Sequence, residues 1–99
     1  MRIAIADDDS EIIEFLGKIV EGQGYVYAGY PDGTALSNAL LRDTFDLAIL
    51  DWNMPGKNGL EILQWMEGAV EDRPPVIMMT SRTAKQDISD ALNAGADDY

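Results

Sequence analysis

The chain has 99 residues, with 18 Asp and Glu against 7 Lys and Arg for a net charge of −11, and it contains neither Cys nor His. That length suits one domain with one core, and an apolar content of 46% argues against disorder. Lacking Cys, it has no disulfides and no thiolate-held zinc, haem or iron–sulfur site; lacking His, it has no imidazole base or ligand, and its acidity disfavours a broad phosphate-gripping face of the kind that binds DNA.

Short apolar runs alternate with helix-length amphipathic stretches along the whole chain. Arg2–Ala6 reads as a buried strand. Ile12, Phe15, Leu16 and Ile19 then recur at the spacing of a core-facing helix. Asp9 or Ser10 is placed to cap that helix, and Gly22 or Gly24 to end it. Tyr25–Tyr30 is the second strand, and a helix from the Pro31-Asp32-Gly33 turn to about Arg42 sets Ala35, Leu36, Ala39 and Leu40 on one side.

Phe45–Leu50 is the third strand, and Asp51 follows it. A Gly-, Pro- and Asn-rich loop leads to a helix from about Gly59 to Val70 with Ile62, Leu63, Met66 and Val70 on one face. Val76–Thr80 is the fourth strand. Thr83 and Gln86 match a capping box for a helix carrying Ile88, Ala91, Leu92 and Gly95, and Asp97-Asp98-Tyr99 enters a further strand. Trp65, Met66, Met78 and Met79 read as core, and Trp52 as core or rim. The first Ile3–Ala6 run is too short to be a leader or a membrane span, so a cytoplasmic location is expected.

Strands without polar alternation, separated by helices, predict an α/β domain: a doubly wound parallel sheet. Ligands of such sheets bind beyond the carboxyl ends of the strands. There the sequence places Asp7, Asp8 and Asp9 after strand one, Asp51 and Asn53 after strand three, and Thr80 and Ser81 at strand four. Two carboxylates about 4 Å apart repel by about 4 kcal/mol at an effective dielectric near 20, so a convergent set calls for a cation or for protonation. Oxygen donors alone select Mg²⁺, Mn²⁺ or Ca²⁺. Mg²⁺ so held leaves room for a phosphate oxygen, to which Thr80 can donate, and the chemistry points to phosphoryl transfer. Taken alone, Asp9 reads more simply as a helix cap and Thr80 as a β-branched strand residue.

The pieces IAIADDD, LAILDWNMPGKNG, PVIMMTS and GADDY, in this order from Arg2 to Tyr99, resemble the receiver domain of two-component response regulators. The resemblance implies a flavodoxin-like sheet of strand order 2-1-3-4, with a fifth strand starting at the C-terminus. It implies that Asp51 is the phosphoacceptor, that Asp8 ligates Mg²⁺ directly and Asp7 through water, and that Asp51 and the backbone carbonyl of Asn53 complete the metal set. Thr80 would hydrogen-bond the phosphoryl group, Tyr99 would be the switch aromatic, and the side chains of Asn53 and Arg82 would tune the lifetime of the phosphate. The donor would be a histidine kinase or phosphotransfer protein. The chain would act as a phosphoacceptor rather than an enzyme, at most phosphorylating and dephosphorylating itself slowly. It would have no direct nucleic-acid or membrane partner.

Two departures from the family pattern stand out. Asn58 replaces the usual acid before Gly59, and a Lys that family members carry on the fifth strand would fall about three residues past Tyr99. The sequence therefore reads as residues 1–99 of a receiver domain, incomplete at its C-terminal end and without an effector domain. Impaired phosphorylation and self-association through an exposed sheet edge are expected. Two other functions compete. A phosphate-independent interaction module would use the same fold with a relic pocket. Asp7-Asp8-Asp9-Ser10 also resembles the first motif of haloacid-dehalogenase-type phosphatases, with Asp7 as nucleophile. Against that, Glu11 stands where the motif takes Thr or Val, and the immediate helix leaves no room for a flap.

Overall fold

In the computed structural model the described residues are 1–79, 93, 96 and 97. Their elements are β1 (Arg2–Ala6), α1 (Ser10–Gly22), β2 (Val26–Tyr30), α2 (Gly33–Arg42), β3 (Leu47–Asp51), α3 (Gly59–Ala69) and β4 (Val76–Met79). The four strands form one parallel sheet in the order β2-β1-β3-β4, the doubly wound arrangement and strand order expected. Strand β2 starts one residue later than its apolar run and β3 is offset from its run by one or two residues, so Asp51 is the last residue of β3 rather than the first of its loop.

Strand β1 alternates large and small rather than apolar and polar, because both of its faces are covered. Ala4 and Ala6 face one layer, and with Ala48, Leu50, Val76 and Met78 they pack against Leu36, Leu40, Ile62, Leu63 and Met66 of α2 and α3. Trp52 joins this core and is 5% exposed, so packing is its role. Trp65 is only half-buried, with the Lys57 ammonium 4.7 Å from its ring centroid, and Met79 is likewise half-buried rather than core.

On the opposite face α1 lies over β2 and β1. The expected core stripe of α1 is corrected here: Ile12, Phe15 and Ile19 are 38%, 65% and 51% exposed, and of that set only Leu16 is partly covered. The helix instead meets the sheet along Ile13, Gly17 and Val20. A Cβ on Gly17 would fall inside the Tyr27 ring, so the bulk at this contact comes from the strand and the helix supplies the space. A reading that follows large apolar side chains therefore selects the wrong stripe. Leu47, Ile49 and Ile77 on this face are half-buried among the described residues.

Ala96 joins the main core. Asp97 donates its N–H to the Val76 carbonyl at 2.9 Å and accepts the Val76 N–H on Oδ2 at 2.8 Å. Residue 76 thus turns both backbone groups away from β3, and Asp97 lies beside β4. Apart from Asn93, which is helical, the capping box and helix read over Thr83–Gly95 lie outside the described residues, as do Thr80, Ser81, Arg82 and the further strand read at Asp98 and Tyr99.

Candidate functional site

The parallel register sets the ends of β1 and β3 level. Ala6 pairs with Leu50 and Asp51 with Met79, so Asp7 and Asp51 emerge side by side at the carboxyl edge. The Asp7 N–H donates to the Tyr30 carbonyl at 3.1 Å, prolonging the β1–β2 ladder by one bond. Its carboxylate accepts the Asp9 N–H at 2.9 Å, which turns the chain outward and leaves Asp8 exposed while Asp7 is 3% exposed. Asp9 caps α1 by accepting the Glu11 N–H at 2.9 Å and takes no part in the acid cluster. The simpler reading of Asp9 is the correct one.

One oxygen from each of Asp7, Asp8 and Asp51 lies within 4.8 Å of the others. They stand in a cleft of about 390 Å³ that Asp9, Ile12, Asn53 and Met79 also line. Burial pushes the Asp51 carboxyl above its ordinary range and the charge of Asp8 adds to this, while the amides of Asn53 and Trp52 pull it down. Burial likewise raises Asp7, opposed by the Asp9 amide and reinforced by the charges of Asp51 and Asp8. Among the described residues no Lys or Arg lines the cleft to balance these charges. A group of carboxylate oxygens with no imidazole or thiolate, in which burial and neighbouring charge raise Asp7 and Asp51, suits a hard cation. The cluster can hold a metal ion.

The loop after β3 is tied at both ends. The Trp52 N–H donates to the Met79 carbonyl at 3.1 Å and the Gly59 N–H to the Trp52 carbonyl at 2.9 Å. Asn58 caps α3 in a reciprocal box with Glu61, at 2.9 and 3.2 Å. The residue that departs from the family pattern is thus a good N-cap. Of the candidate site residues, Asp7, Asp8 and Asp51 converge, and Asn53 lines the same cleft; Thr80, Arg82 and Tyr99 lie outside the described residues. Ile12 and Met79 were read as core but line the cleft. The register that sets Met79 opposite Asp51 was the only signal for the latter, and it depends on strand order.

Comparison with known proteins agrees with this geometry. Residues 3–99 match the family described as response regulator receiver domain. The transcriptional regulatory protein TctD of Salmonella typhimurium is 37% identical over 99 residues, 100% of this chain and 44% of that protein. RprY, a transcriptional regulatory protein of Bacteroides fragilis, is 35% identical over 99 residues, covering 100% of this chain and 42% of its own length. The receiver domain of the Francisella response regulator 1452 superposes with a TM-score of 0.93 at 26% identity, over 99% of this chain and 80% of that one.

The protein is therefore a two-component signalling module of the doubly wound class, and the chain belongs to the response regulator receiver domain family. It spans less than half the length of the curated relatives it matches. The phosphatase alternative is not favoured: the family is a different one, and α1 begins at Ser10 with Asp9 as its cap, leaving no insertion after β1. Among the described residues no helix is long and apolar enough to cross a membrane.

Proposed function

We propose that residues 1–99 act as a phosphoacceptor unit in which Asp51 receives a phosphoryl group from a histidine kinase or phosphotransfer protein in the cytoplasm. The observation that carries this reading is the convergence of Asp7 and Asp8 on Asp51 at the carboxyl edge of the sheet. A carboxylate oxygen of Asp51 attacks phosphorus in line. The new P–O bond forms as the P–N bond to the donor imidazole breaks, and the departing nitrogen takes a proton. The product is an acyl phosphate on Asp51.

The group that suits the cluster is Mg²⁺, which Asp8, Asp51 and the Asn53 carbonyl would hold, with Asp7 acting through water. When bound it offsets the charge that builds on the phosphoryl oxygens. Asp7 contributes the third carboxylate of the cluster, and the Asn53 and Trp52 amides hold the Asp51 carboxylate in place for attack. From their places in the sequence motifs, Thr80 is the hydroxyl that donates to the phosphoryl group and Tyr99 the aromatic whose setting changes with it. The side chains of Asn53 and Arg82 set the phosphate's lifetime. The chain turns over no substrate of its own beyond slow self-phosphorylation and self-dephosphorylation. Its acidity suits protein partners rather than nucleic acid.

Intact mass after incubation with acetyl phosphate and Mg²⁺ tests the reading. One added phosphoryl group in the wild type and none in Asp51→Asn is expected. An adduct that survives the substitution would overturn the assignment of Asp51. No adduct in the wild type would favour the interaction module.

A further inference from the structure

The loop that carries Asn53 rests on the first turn of α2, a part of the molecule that contributes no residue to the acidic cleft. The Gly33 N–H donates to the Pro55 carbonyl at 3.4 Å. The space beside the Gly33 α-carbon is taken by the backbone of Lys57: a Cβ there would overlap the Lys57 carbonyl oxygen and stand 2.9 Å from both its carbonyl carbon and its Cβ. Backbone atoms cannot swing aside as a side-chain tip can, so this contact admits only glycine. The neighbouring Gly56 has φ +77° and faces Thr34, whose hydroxyl lies 3.0 Å from where a Gly56 Cβ would stand. Two glycines thus make one close approach between loop and helix.

The helix side of this contact is firm. Asp32 caps α2 by accepting the Ala35 N–H at 2.7 Å. The buried Ser37 hydroxyl donates to the Gly33 carbonyl at 2.8 Å, and Gly33 itself is buried. The loop side is equally constrained, because Trp52 is bonded to Met79 and Asn58 begins α3. Displacement of residues 55–57 has nowhere to go but along the short stretch to Asn53, whose amide reaches the Asp51 carboxylate.

We propose that Gly33 is a positioning residue for the metal site. By admitting the Lys57 carbonyl against its α-carbon, it lets the 52–58 loop settle low enough to bring the Asn53 backbone to the acid cluster. The inference rests on the reading of that cluster as a Mg²⁺ site and extends it to a residue on another element. A side chain at position 33 lifts the loop and withdraws Asn53, while Asp7, Asp8 and Asp51 stay on their strands.

Calorimetric titration with Mg²⁺ of the wild type, Gly33→Ala and Gly68→Ala tests this. Gly68 is a control in α3 with nothing within 4 Å of an added Cβ. Gly33→Ala is expected to weaken Mg²⁺ affinity about ten- to a hundredfold, the usual effect of losing a group that orients a metal ligand, while Gly68→Ala binds as the wild type does. A folded Gly33→Ala protein with unchanged Mg²⁺ affinity would overturn the inference whatever its melting temperature, since a purely structural role changes stability alone. Amide NMR of the wild type provides a second reading that needs no variant. Mg²⁺ saturation is expected to shift the Gly33 amide and leave that of Gly68 in place, and an unmoved Gly33 amide would count against the proposal. A wild type that binds no Mg²⁺ would overturn the metal-site reading itself, and this inference with it.

Discussion

The two faces of the sheet are built on opposite rules. On the α2–α3 face the strands offer small or medium side chains, Ala4, Ala6, Ala48 and Val76, and the helices supply Leu36, Leu40, Ile62, Leu63 and Met66. Helices can then approach closely and seal the layer. On the α1 face the strands supply the bulk, with Ile3, Ile5 and Tyr27, and the helix gives way at Gly17. That layer buries Ile3 and Ile5 of β1, whereas Tyr27 of β2 and Leu47, Ile49 and Ile77 of β3 and β4 are half-buried among the described residues. Asp51 follows Leu47 and Ile49 in the same alternation along β3, so the partly covered face leads directly to the acid cluster. Stability and chemistry are thereby divided between the two sides of one sheet.

The largest expected effect sharpens this contrast. Leu63→Ala opens a cavity under α3 and is expected to cost about 3 kcal/mol in urea unfolding. If the loss were under about 1 kcal/mol, the sealed face would not be the main source of stability.

The next effect has the opposite sign. Burial and neighbouring charges raise the carboxyls of Asp7 and Asp51 above their unfolded values, so between the two values the folded protein holds more protons than the unfolded chain. Without metal, stability therefore falls as pH rises through that window and returns on acidification through it. Asp51→Asn is expected to stabilise the metal-free protein at neutral pH and to flatten the pH profile. Thermal melts across pH would contradict the electrostatic account if the variant were less stable than the wild type at neutral pH and no flatter.

A cap at the join between loop and core comes third. Asn58→Ala removes the reciprocal box with Glu61 and is expected to cost about 1 kcal/mol, read as a lowered denaturation midpoint with an unchanged slope. The smallest effect lies on the α1 face. Phe15→Ser is expected to change stability by less than about 0.5 kcal/mol in urea unfolding, because its ring is already in solvent. A large loss of stability from that substitution would show that the exposed stripe is packed after all.

Strand and helix types, the parallel sheet and the convergence of Asp7, Asp8 and Asp51 were legible in the sequence, because uninterrupted apolar runs between amphipathic stretches allow few other arrangements. The order of motifs also pointed to the family and, through it, to the strand order. Asp9 was legible as the cap of α1 because capping is local in the chain. The buried stripe of α1 was not legible: its contact depends on Tyr27 filling the space at Gly17, and hydrophobic periodicity gives no weight to a residue without a side chain. Met79 and Ile12 likewise read as core; strand register brings Met79 to the cleft, and Ile12 reaches it from the first turn of α1. The close approach of Gly33 to Lys57 joins segments that meet only when α2 and the loop after β3 are in place. Local pattern determines which elements form, since it depends on spacing along the chain. Tertiary structure decides which of two adjacent apolar stripes is covered and where a glycine leaves room for a neighbouring backbone, since both depend on what the rest of the chain brings alongside.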